Sequence, residues 1–394
     1  MTGSGELTPL LVPSSPLDGR ARAVIEKVHL AELAKAQTLP TDDDRDEKRR
    51  RRVEWTREEM IVQPSAIIET LEAEHEAIRA VAAALAGAEP RRVYLVGCGD
   101  SLSVMVGMRA LLERLLGVPC EPMQALDFAY YYADLCGPDA IVIGLSSSGE
   151  TTRTVEALLV AAARGATTLG LTNSPDSTLM REATHSLLVH ATRRGWPTQA
   201  STAAMALLAQ VAVEMGRRRG KVAEADRFEA DIGRLPQRMA EVLEAHEPVM
   251  AEIATREASR SIYLYAGGGP AYACAMFGAA KIKECSPAHG IAIPLEEYHH
   301  YNSQKEGDPM LLFAPAGATV PRAVETARTG RGAGGQVYAV VTEGESRFDE
   351  EADAVLRLPA VLEPLAPIVY AIPGQLFAYH AAMEKFRIAD RQQP

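Results

Sequence analysis

Residues 141–165 read IVIGLSSSGETTRTVEALLVAAARG, and their pattern predicts a strand, a turn and a helix. The first part is a short apolar run typical of a buried parallel strand, and the last part carries apolar residues at helical spacing. Serines, a glycine and threonines lie between them. One hydroxyl is enough to cap a helix, so two interpretations stand: a capped loop, or a cluster of hydroxyls and free N–H groups that binds phosphate or another oxyanion.

The same strand and helix pattern occurs twice in the chain. Residues 93–99, VYLVGCG, are similar to residues 262–268, IYLYAGG, at an offset of 169 positions. That offset also places residues 141–156 over residues 310–325, MLLFAPAGATVPRAVE, including a shared R-x-V-E. One offset that holds at two separate places indicates two copies of one unit.

The two copies differ at the turn before the helix. Where the first copy has SSSGET, the second has AGATV and has lost most of the hydroxyls. A helix cap would be needed in both copies, so hydroxyls that are restricted to the first copy favour the phosphate interpretation.

Strands and helices alternate through both copies, which predicts the α/β class. We predict that residues 1–56 form a helical, charged N-terminal extension, that residues 57–245 form the first unit with the phosphate turn, and that residues 246–394 form the second. The predicted strands are RVYLVG, AIVIGLS, TTLGLT and SLLVH in the first unit, and SIYLYAG, MLLFAP, VYAVVT and AVLRLP in the second.

The composition, with 47% hydrophobic and 24% charged residues among 394, is typical of a soluble globular protein. The formal net charge of −11 argues against nucleic acid as a partner. The run EKRRRRVEW follows TDDDRDE, which cancels most of its field. We interpret the run as a solvated linker or surface helix and find no chemical motif in the extension.

The cysteines predict the redox environment of the protein. There are five, and they show no C-x-x-C or Cys/His ligand spacing, so we expect neither a disulfide framework nor a metal site. The first residues lack a basic segment followed by an apolar one, and no stretch of about eighteen apolar residues runs without a charge or breaker. We therefore expect a cytoplasmic protein with no membrane partner.

Several motifs, in this order along residues 57 to 390, give the chain a family resemblance. They are EMIVQPSAIIETL, GCGDS at 97–101, SSSGET at 146–151, QAST at 199–202, AAKIKECS at 279–286, LEEYHH at 295–300 and EPLAPIVYAIPGQLFAYHAA near the end. Together they resemble the sugar isomerase (SIS) domain family, and within it the isomerase half of glucosamine-6-phosphate synthase and the fructosamine-6-phosphate deglycases. The resemblance implies two tandem three-layer α/β/α units with parallel five-stranded sheets. It also implies a homodimer that acts on sugar phosphates without a metal or nicotinamide cofactor.

The resemblance also implies roles for individual residues. The phosphate would bind to Ser146, Ser148 and Thr151, with Ser147 and Ser101 close by. The sugar would lie near Gly99, Asp100 and Ser201. Glu284 matches the acid that moves a proton between C1 and C2, and His300 matches the histidine that assists ring opening, often delivered from the neighbouring subunit.

Elementary chemistry agrees with the role of Glu284 and leaves an alternative open. Glu284 ends AMFGAAKIKE, a helix with an apolar or small face, where partial burial raises the pKa of a carboxylate toward that of a useful base. A helix glutamate more often pairs with a neighbouring charge, here Lys281 at i−3. For the histidines the alternative is a packed or surface position, and His299 and His300 cannot both face one site.

Three departures from the resemblance narrow the expected chemistry. No cysteine glutaminase domain precedes the first unit, so we do not expect ammonia from glutamine. The chain stops at RIADRQQP without the tail lysine that forms a Schiff base in the synthase, so we expect no lysine adduct. Asp100 stands where the family usually has Thr or Ser, and a carboxylate there favours an amino sugar or an amine adduct over a second anion.

Two functions from different classes remain. The first is a phosphosugar deglycase, deaminase or aldose–ketose isomerase; the second is a non-catalytic sensor that binds a sugar phosphate and regulates a partner protein. The retained acid and E-x-x-H step favour the enzyme. A dinucleotide-binding protein is disfavoured because GCGDSLS breaks the G-x-G-x-x-G spacing and no acid ends the next strand.

Overall fold

The computed structural model describes residues 10–301 and 303–391. The helices are α1 Gly19–Ala36, α2 Glu47–Ile61, α3 Gln63–Ala73, α4 His75–Gly87, α5 Asp100–Leu116, α6 Ala125–Asp127, α7 Thr152–Ala163, α8 Thr178–Glu182, α9 Gln199–Arg218, α10 Val222–Ile232, α11 Leu235–Glu257, α12 Tyr272–Cys285, α13 Val320–Gly332, α14 Ala366–Tyr370 and α15 Ile372–Arg391. The strands are β1 Arg92–Gly97, β2 Cys120–Gln124, β3 Ala140–Leu145, β4 Thr167–Thr172, β5 His185–Leu188, β6 Ile262–Gly267, β7 His289–Pro294, β8 Pro309–Ala314, β9 Gln336–Thr342 and β10 Ala354–Leu358.

The strands form two parallel sheets, one in each unit. Their orders are β2-β1-β3-β4-β5 and β10-β9-β8-β6-β7, with five strands in each sheet. Every recorded strand pair is parallel, and helices such as α5, α7, α12 and α13 connect several of the strands. The prediction of two tandem α/β/α units is confirmed.

The internal repeat extends further than the sequence match. Val93 pairs with Cys120 in the first sheet and Ile262 pairs with His289 in the second, each residue 169 positions after its counterpart. The shared R-x-V-E motif also forms the same contact twice, since Arg153 bonds Glu156 at 2.6 Å and Arg322 bonds Glu325 at 2.6 Å. The same offset therefore relates strands, register and a helix ion pair.

All eight predicted strands are present, and two further strands, β2 and β7, were not predicted. Both lie at an edge of their sheet, where only one side is paired and burial is partial. Pro122 stands in the middle of β2 and Pro294 ends β7, which an edge strand tolerates and a central strand does not. Short runs with a proline and little apolar character carry a weak strand signal.

The two units share one hydrophobic core. A single cluster of buried side chains contains Val93 and Leu95 of β1 together with Tyr263 and Tyr265 of β6. Helix α5 of the first unit packs against α12 of the second, and each is the first helix of its repeat. The predicted boundaries after residues 56 and 245 remain predictions, and helices α2 and α11 run across them.

The topology of the first sheet determines where a ligand can bind. The chain leaves β1 toward one edge and returns to β3 on the other side of β1, so the carboxyl ends of β1 and β3 border a crevice. The turn after β1 contains Gly99, and the turn after β3 contains residues 146–151. Both motifs that the sequence singles out therefore lie at this crevice.

Two further observations concern the described residues as a whole. Within residues 10–301 and 303–391, no helix is long and apolar enough to cross a membrane. The same ranges contain no group of three or more His, Cys, Asp or Glu residues arranged to hold a metal ion.

Candidate active site

The turn after β3 gathers the predicted phosphate-binding hydroxyls. Ser146 Oγ lies 2.8 Å from Thr151 Oγ1 and 3.4 Å from Ser148 Oγ, and Ser148 Oγ accepts a hydrogen bond of 3.2 Å from the Glu150 N–H. Thr151 is the N-cap residue of α7, and its side chain makes no capping bond among the described residues. The hydroxyls contact one another at the positive end of α7 instead of capping it, so the capping interpretation does not account for them.

Gly149 gives the turn its shape. Its φ of +64° lies in the left-handed region, and a Cβ there would meet Ser177 Oγ at 2.0 Å. The Glu150 carboxylate completes the turn by accepting 2.7 Å from the Thr178 N–H. The turn is therefore held from both sides, with only glycine fitting at its centre.

The corresponding turn of the second unit is closed by an acid. A Cβ at Gly317, the counterpart of Ser148, would meet Glu363 Oε1 at 2.0 Å. A carboxylate therefore lies beside this turn, as Glu32 lies beside the first turn through its bond to Thr152 Oγ1. The two turns differ in their hydroxyls, which the second turn has mostly lost.

A buried charge cluster joins the two units beside the first crevice. Lys281 of α12 is fully buried and donates to Asp100 Oδ2 at 2.6 Å and to Glu284 Oε2. Asp100 is the first residue of α5, and Gly99 before it has a φ of +57° that places the acid at the strand end. The i−3 pairing of Glu284 with Lys281 that the sequence left open is present, and it lies in the site itself.

The cluster shifts the pKa of two of its members. Burial raises the pKa of Glu284 to about 7, the Lys281 ammonium opposes this rise, and the Asp100 carboxylate adds to it. Burial lowers the pKa of Lys281, but the Asp100 and Glu284 carboxylates outweigh it and hold that pKa above the ordinary lysine value. Two carboxylates share one ammonium, so Glu284 can take up and release a proton near neutral pH.

These elements border one cavity of about 650 Å³. Its lining includes most of the residues that the resemblance implies, namely Gly99, Asp100, Ser101, Ser147, Ser148, Thr151 and Glu284. Ser146 is buried behind the turn and reaches Thr151. Ser201 is buried in the first turn of α9 and is not part of the lining.

The two candidate histidines lie outside this lining. His299 closes a short 3₁₀ turn, Glu297–His299, and its Nε2 lies 2.9 Å from Thr326 Oγ1. His300 follows with a side chain that is 60% exposed, and its Nε2 lies 3.5 Å from Glu296 Oε1. One copy of the chain therefore does not bring either histidine to the cavity.

The N-terminal extension supplies a wall of the cavity that the sequence analysis missed. Lys35, Thr38, Pro40, Lys48, Arg52 and Trp55 all line it. Helix α1 is tied to the phosphate turn because Glu32 Oε2 accepts 2.5 Å from Thr152 Oγ1, at the start of α7. EKRRRRVEW lies in helix α2, as the surface-helix interpretation expected, but Arg52 and Trp55 line the cavity, which was not expected. Their i, i+3 spacing, which puts both on one helix face, was the available signal.

The loop between β5 and α9 forms a further part of the wall, next to α2. Residues 193–197 line the cavity, and α2 holds them in place. Buried Glu59 accepts 2.8 Å from the Arg194 N–H and 3.1 Å from the Gly195 N–H, while Thr56 Oγ1 accepts 2.8 Å from the Trp196 N–H. A Cβ at Gly195 would meet the Thr56 backbone at 2.5 Å, so glycine permits this close approach.

Comparison with known proteins shows the family of this chain. The family model for the SIS domain matches residues 88–214 and 257–385. The chain belongs to the SIS domain family. The two matched segments contain the two repeats, and the first contains the phosphate turn.

Curated SIS relatives include glutamine–fructose-6-phosphate aminotransferases [isomerizing]. A protein of this name from Thermus thermophilus is 34% identical over 310 residues, covering 77% of this chain and 51% of the relative. That from Zymomonas mobilis is 32% identical over 347 residues, covering 84% and 56%. The chain thus spans about half the length of the curated relatives it matches.

Solved structures show the same SIS fold. The C-terminal domain of glucosamine-fructose-6-phosphate aminotransferase from Francisella tularensis matches with a TM-score of 0.74 at 21% identity, covering 84% of this chain and 96% of that one. Tagatose-6-phosphate ketose/aldose isomerase from Escherichia coli matches at 0.70 and 18% identity, covering 84% and 92%. Glucosamine-6-phosphate deaminase from Thermotoga maritima matches at 0.65 and 19% identity, covering 83% and 94%.

Proposed function

We propose that the protein is an enzyme that isomerises, deaminates or deglycates a sugar phosphate, with Glu284 as its acid and base. The observation that carries the proposal is that the hydroxyl turn and the Glu284 carboxylate line one cavity. The activities named for the curated relatives and for two structural neighbours, an isomerase and a deaminase of sugar phosphates, support this reaction class.

The phosphate is assigned to the turn after β3. Hydroxyls of Ser146, Ser148 and Thr151 can donate to phosphate oxygens at the positive end of α7. The first N–H of that helix, at Thr152, already donates to Glu32 Oε2 at 3.3 Å. Ser147 and Ser101 line the same cavity within reach of this end. Such bonds are short and charge-assisted because phosphate carries up to two negative charges.

Glu284 is assigned the proton transfer. Isomerisation of an aldose to a ketose needs a base that removes a proton beside a carbonyl and then returns it to the neighbouring carbon. Loss of an amine from a sugar phosphate begins with the same kind of proton removal. A carboxylate whose pKa is raised by burial can both accept the proton and return it, because it is a stronger base than an ordinary carboxylate and is not permanently protonated.

Asp100 supports an amine-bearing substrate. Its Oδ2 accepts from Lys281, whereas its buried Oδ1 has no hydrogen-bond partner among the described residues. An unpaired carboxylate oxygen beside the cavity favours a ligand that donates, best a protonated amine. The Lys281 ammonium is held protonated by two carboxylates, so it is a poor nucleophile and a Schiff base with it is not expected.

The enzyme is proposed to act as a homodimer with a shared site. His300 is exposed and outside the cavity of its own chain, so a role in ring opening requires delivery from a second copy.

A cytoplasmic location is proposed as well, because all five cysteines are free, as is usual in a reducing compartment.

Binding of fructose and fructose 6-phosphate, measured by calorimetry, tests the phosphate assignment. We expect the phosphate to bind far more tightly, and Ser146→Ala or Thr151→Ala each to weaken it by about 1.5–3 kcal/mol, the value of a hydrogen bond to a charged group. Thr319→Ala, in the corresponding turn of the second unit, is the matched control and should change nothing. Equal affinity for the sugar and its phosphate would contradict the assignment.

A further inference from the structure

A short loop between α1 and α2 crosses from one unit to the other beside the cavity. Helix α1 packs on α7 of the first unit, whereas α2 packs on α12 and α15 of the second. Residues 37–46, which we call the strap, connect the two helices. The strap therefore runs from the side of the phosphate turn to the side of Glu284, along any ligand that reaches from one to the other.

The strap borders two cavities that share the proposed base. Thr38 and Pro40 line the cavity of about 650 Å³, and Pro40 also lines a smaller cavity of about 310 Å³. Trp196 and Glu284 line both of them as well. Pro40 thus borders two spaces that both reach Glu284, and its displacement would widen the access to that carboxylate.

The hydrogen bonds of the strap are local. Every one recorded for it is made within residues 35–50, and among the described residues none reaches the phosphate turn or α12. The Lys35 carbonyl accepts from the Thr38 N–H at 2.9 Å and from the Thr38 hydroxyl at 2.7 Å. Arg49 Nε donates to the Thr41 carbonyl at 2.7 Å. The strap therefore keeps its shape without being bonded to the opposite walls of the cavity.

Both ends of the strap are fixed. Near the end of α1, Glu32 Oε2 accepts 2.5 Å from Thr152 Oγ1 and holds the helix beside the phosphate turn. At the other end, buried Arg49 of α2 pairs with Asp42 at 2.5 Å. A loop with fixed ends and a middle that is not bonded to the walls can move as one piece, as the lids of many enzymes do.

Unpaired cations provide a force that moves the strap. Lys35, which carries the first turn of the strap, lines the cavity together with Arg52 and Arg193, and no ion pair joins any of them to an acid of the described residues. Burial lowers the pKa of Lys35, and the charges of Arg193 and Arg52 lower it further. An anionic ligand between these cations replaces their repulsion by attraction and draws Lys35 toward the cavity.

We propose that the strap, residues 37–46, is a gate of the proposed active site that closes when an anionic ligand binds. The open strap admits the ligand. The closed strap retains it and excludes water from the side of Glu284, where the proton is transferred. This inference rests on the proposed function and adds to it a conformational step between binding and proton transfer.

Amide hydrogen exchange, followed by mass spectrometry, tests whether the strap closes. The probe is fructose 6-phosphate at a concentration that calorimetry shows to saturate the wild type. We expect exchange in the strap to slow at least about tenfold with this ligand, because closure makes local opening rarer. Residues 343–347, a loop of the second unit outside the lining of the cavity, are the control and should exchange equally in both states. Unchanged exchange in the strap of the saturated protein overturns the gate.

Stopped-flow fluorescence tests whether the strap retains the ligand. The two tryptophans of the chain, Trp55 and Trp196, both line the cavity and report binding. We expect Arg49→Gln, which releases the strap from α2, to raise the dissociation rate of fructose 6-phosphate at least about tenfold and to change its association rate less than about threefold. Asp42→Asn should raise the dissociation rate at least about threefold, since Arg49 keeps its other bond. Glu47→Gln, an exposed acid in the first turn of α2 without an ion pair among the described residues, is the charge-matched control.

The outcomes separate the gate from the proposed function. Wild-type dissociation rates in Arg49→Gln and Asp42→Asn overturn the gate even if exchange slows, because the slowing would then reflect direct contact with the ligand. Should Arg49→Gln fail to fold, Asp42→Asn decides, since its side chain is 85% exposed. In these cases the proposed function stands if Ser146→Ala still weakens fructose 6-phosphate. A wild type that binds no phosphosugar overturns the proposed function and the gate with it.

Discussion

Asp100, Lys281 and Glu284 define the chemistry at the scale of single residues. The fully buried ammonium of Lys281 pairs with two carboxylates, so its single positive charge neutralises only part of their combined negative charge. Burial is the largest cause that raises the pKa of Glu284, and the Asp100 charge adds to it while Lys281 opposes it. Asp100, the residue that departs from the family pattern, therefore raises the pKa of the proposed base, and we propose that it also binds the substrate amine.

A change at Asp100 should move the pH dependence of turnover in a defined direction. Glu284 must be ionised to accept a proton, so kcat/KM rises as pH increases through its pKa. Asp100→Asn removes a negative charge that raises this pKa, and we expect the acid limb of the kcat/KM profile to shift to lower pH. The profile is measured on the phosphosugar that the wild type converts, with Asp134→Asn, an exposed acid, as the control. An unmoved acid limb would show that Asp100 does not act on the base.

At the scale of elements, the phosphate turn depends on Gly149. Gly149→Ala introduces both a left-handed alanine and a clash with Ser177, whereas Gly220→Ala introduces only the first, since nothing lies within 4 Å of a Cβ at Gly220, whose φ is +82°. The left-handed conformation costs about 1–2 kcal/mol. We expect both variants to lose that much stability in urea unfolding, and Gly149→Ala to lose more and to bind fructose 6-phosphate poorly. Equal losses and intact binding in the two variants would mean that the turn adapts.

The extension shows where sequence reasoning reached its limit for an element. Helix α2 was recognisable from its charges, but in EKRRRRVEW the first three arginines pair with acids and Arg52 pairs with none among the described residues, a difference that four identical residues do not reveal. Arg52 faces the cavity, whereas Arg51 faces solvent and pairs with Glu54.

Edge strands β2 and β7 were not predicted for a different reason, since partial burial and a proline weaken the alternating or apolar pattern that indicates a strand.

At the scale of the whole molecule, the internal repeat was the sequence feature that predicted most of the architecture. The offset of 169 positions and the loss of hydroxyls in the second copy led to two units with one phosphate turn, and the two sheets confirm the units. The cavity also contains Glu284, because α5 and α12 pack against each other across the shared core. The phosphate turn and Glu284 are far apart in sequence and come together only through the packing of the two units, so no short sequence pattern predicts that they share a cavity.

The proposed shared site predicts complementation between two inactive chains. We expect Glu284→Gln and His300→Ala to be individually impaired, and mixed dimers of the two to regain part of the turnover, because one of their two sites would have both groups intact. Subunit exchange is verified by native mass spectrometry of tagged chains. Mixed dimers that form without any regained turnover would place His300 outside the reaction.

Exchange of substrate hydrogen with deuterated water tests the central assignment most directly. Fructose 6-phosphate, glucosamine 6-phosphate and the glycine adduct of fructose 6-phosphate are incubated with the enzyme in D₂O, and deuterium at C1 or C2 is followed by NMR. We expect the wild type and Glu252→Gln, an exposed helix glutamate on α11, to exchange at least one of them. Glu284→Gln should slow that exchange by about 10²–10⁴-fold, the usual contribution of a positioned base, while the ligand still binds. Exchange at near wild-type rate in Glu284→Gln would contradict the assignment. So would a wild type that binds these phosphosugars but exchanges hydrogen in none of them.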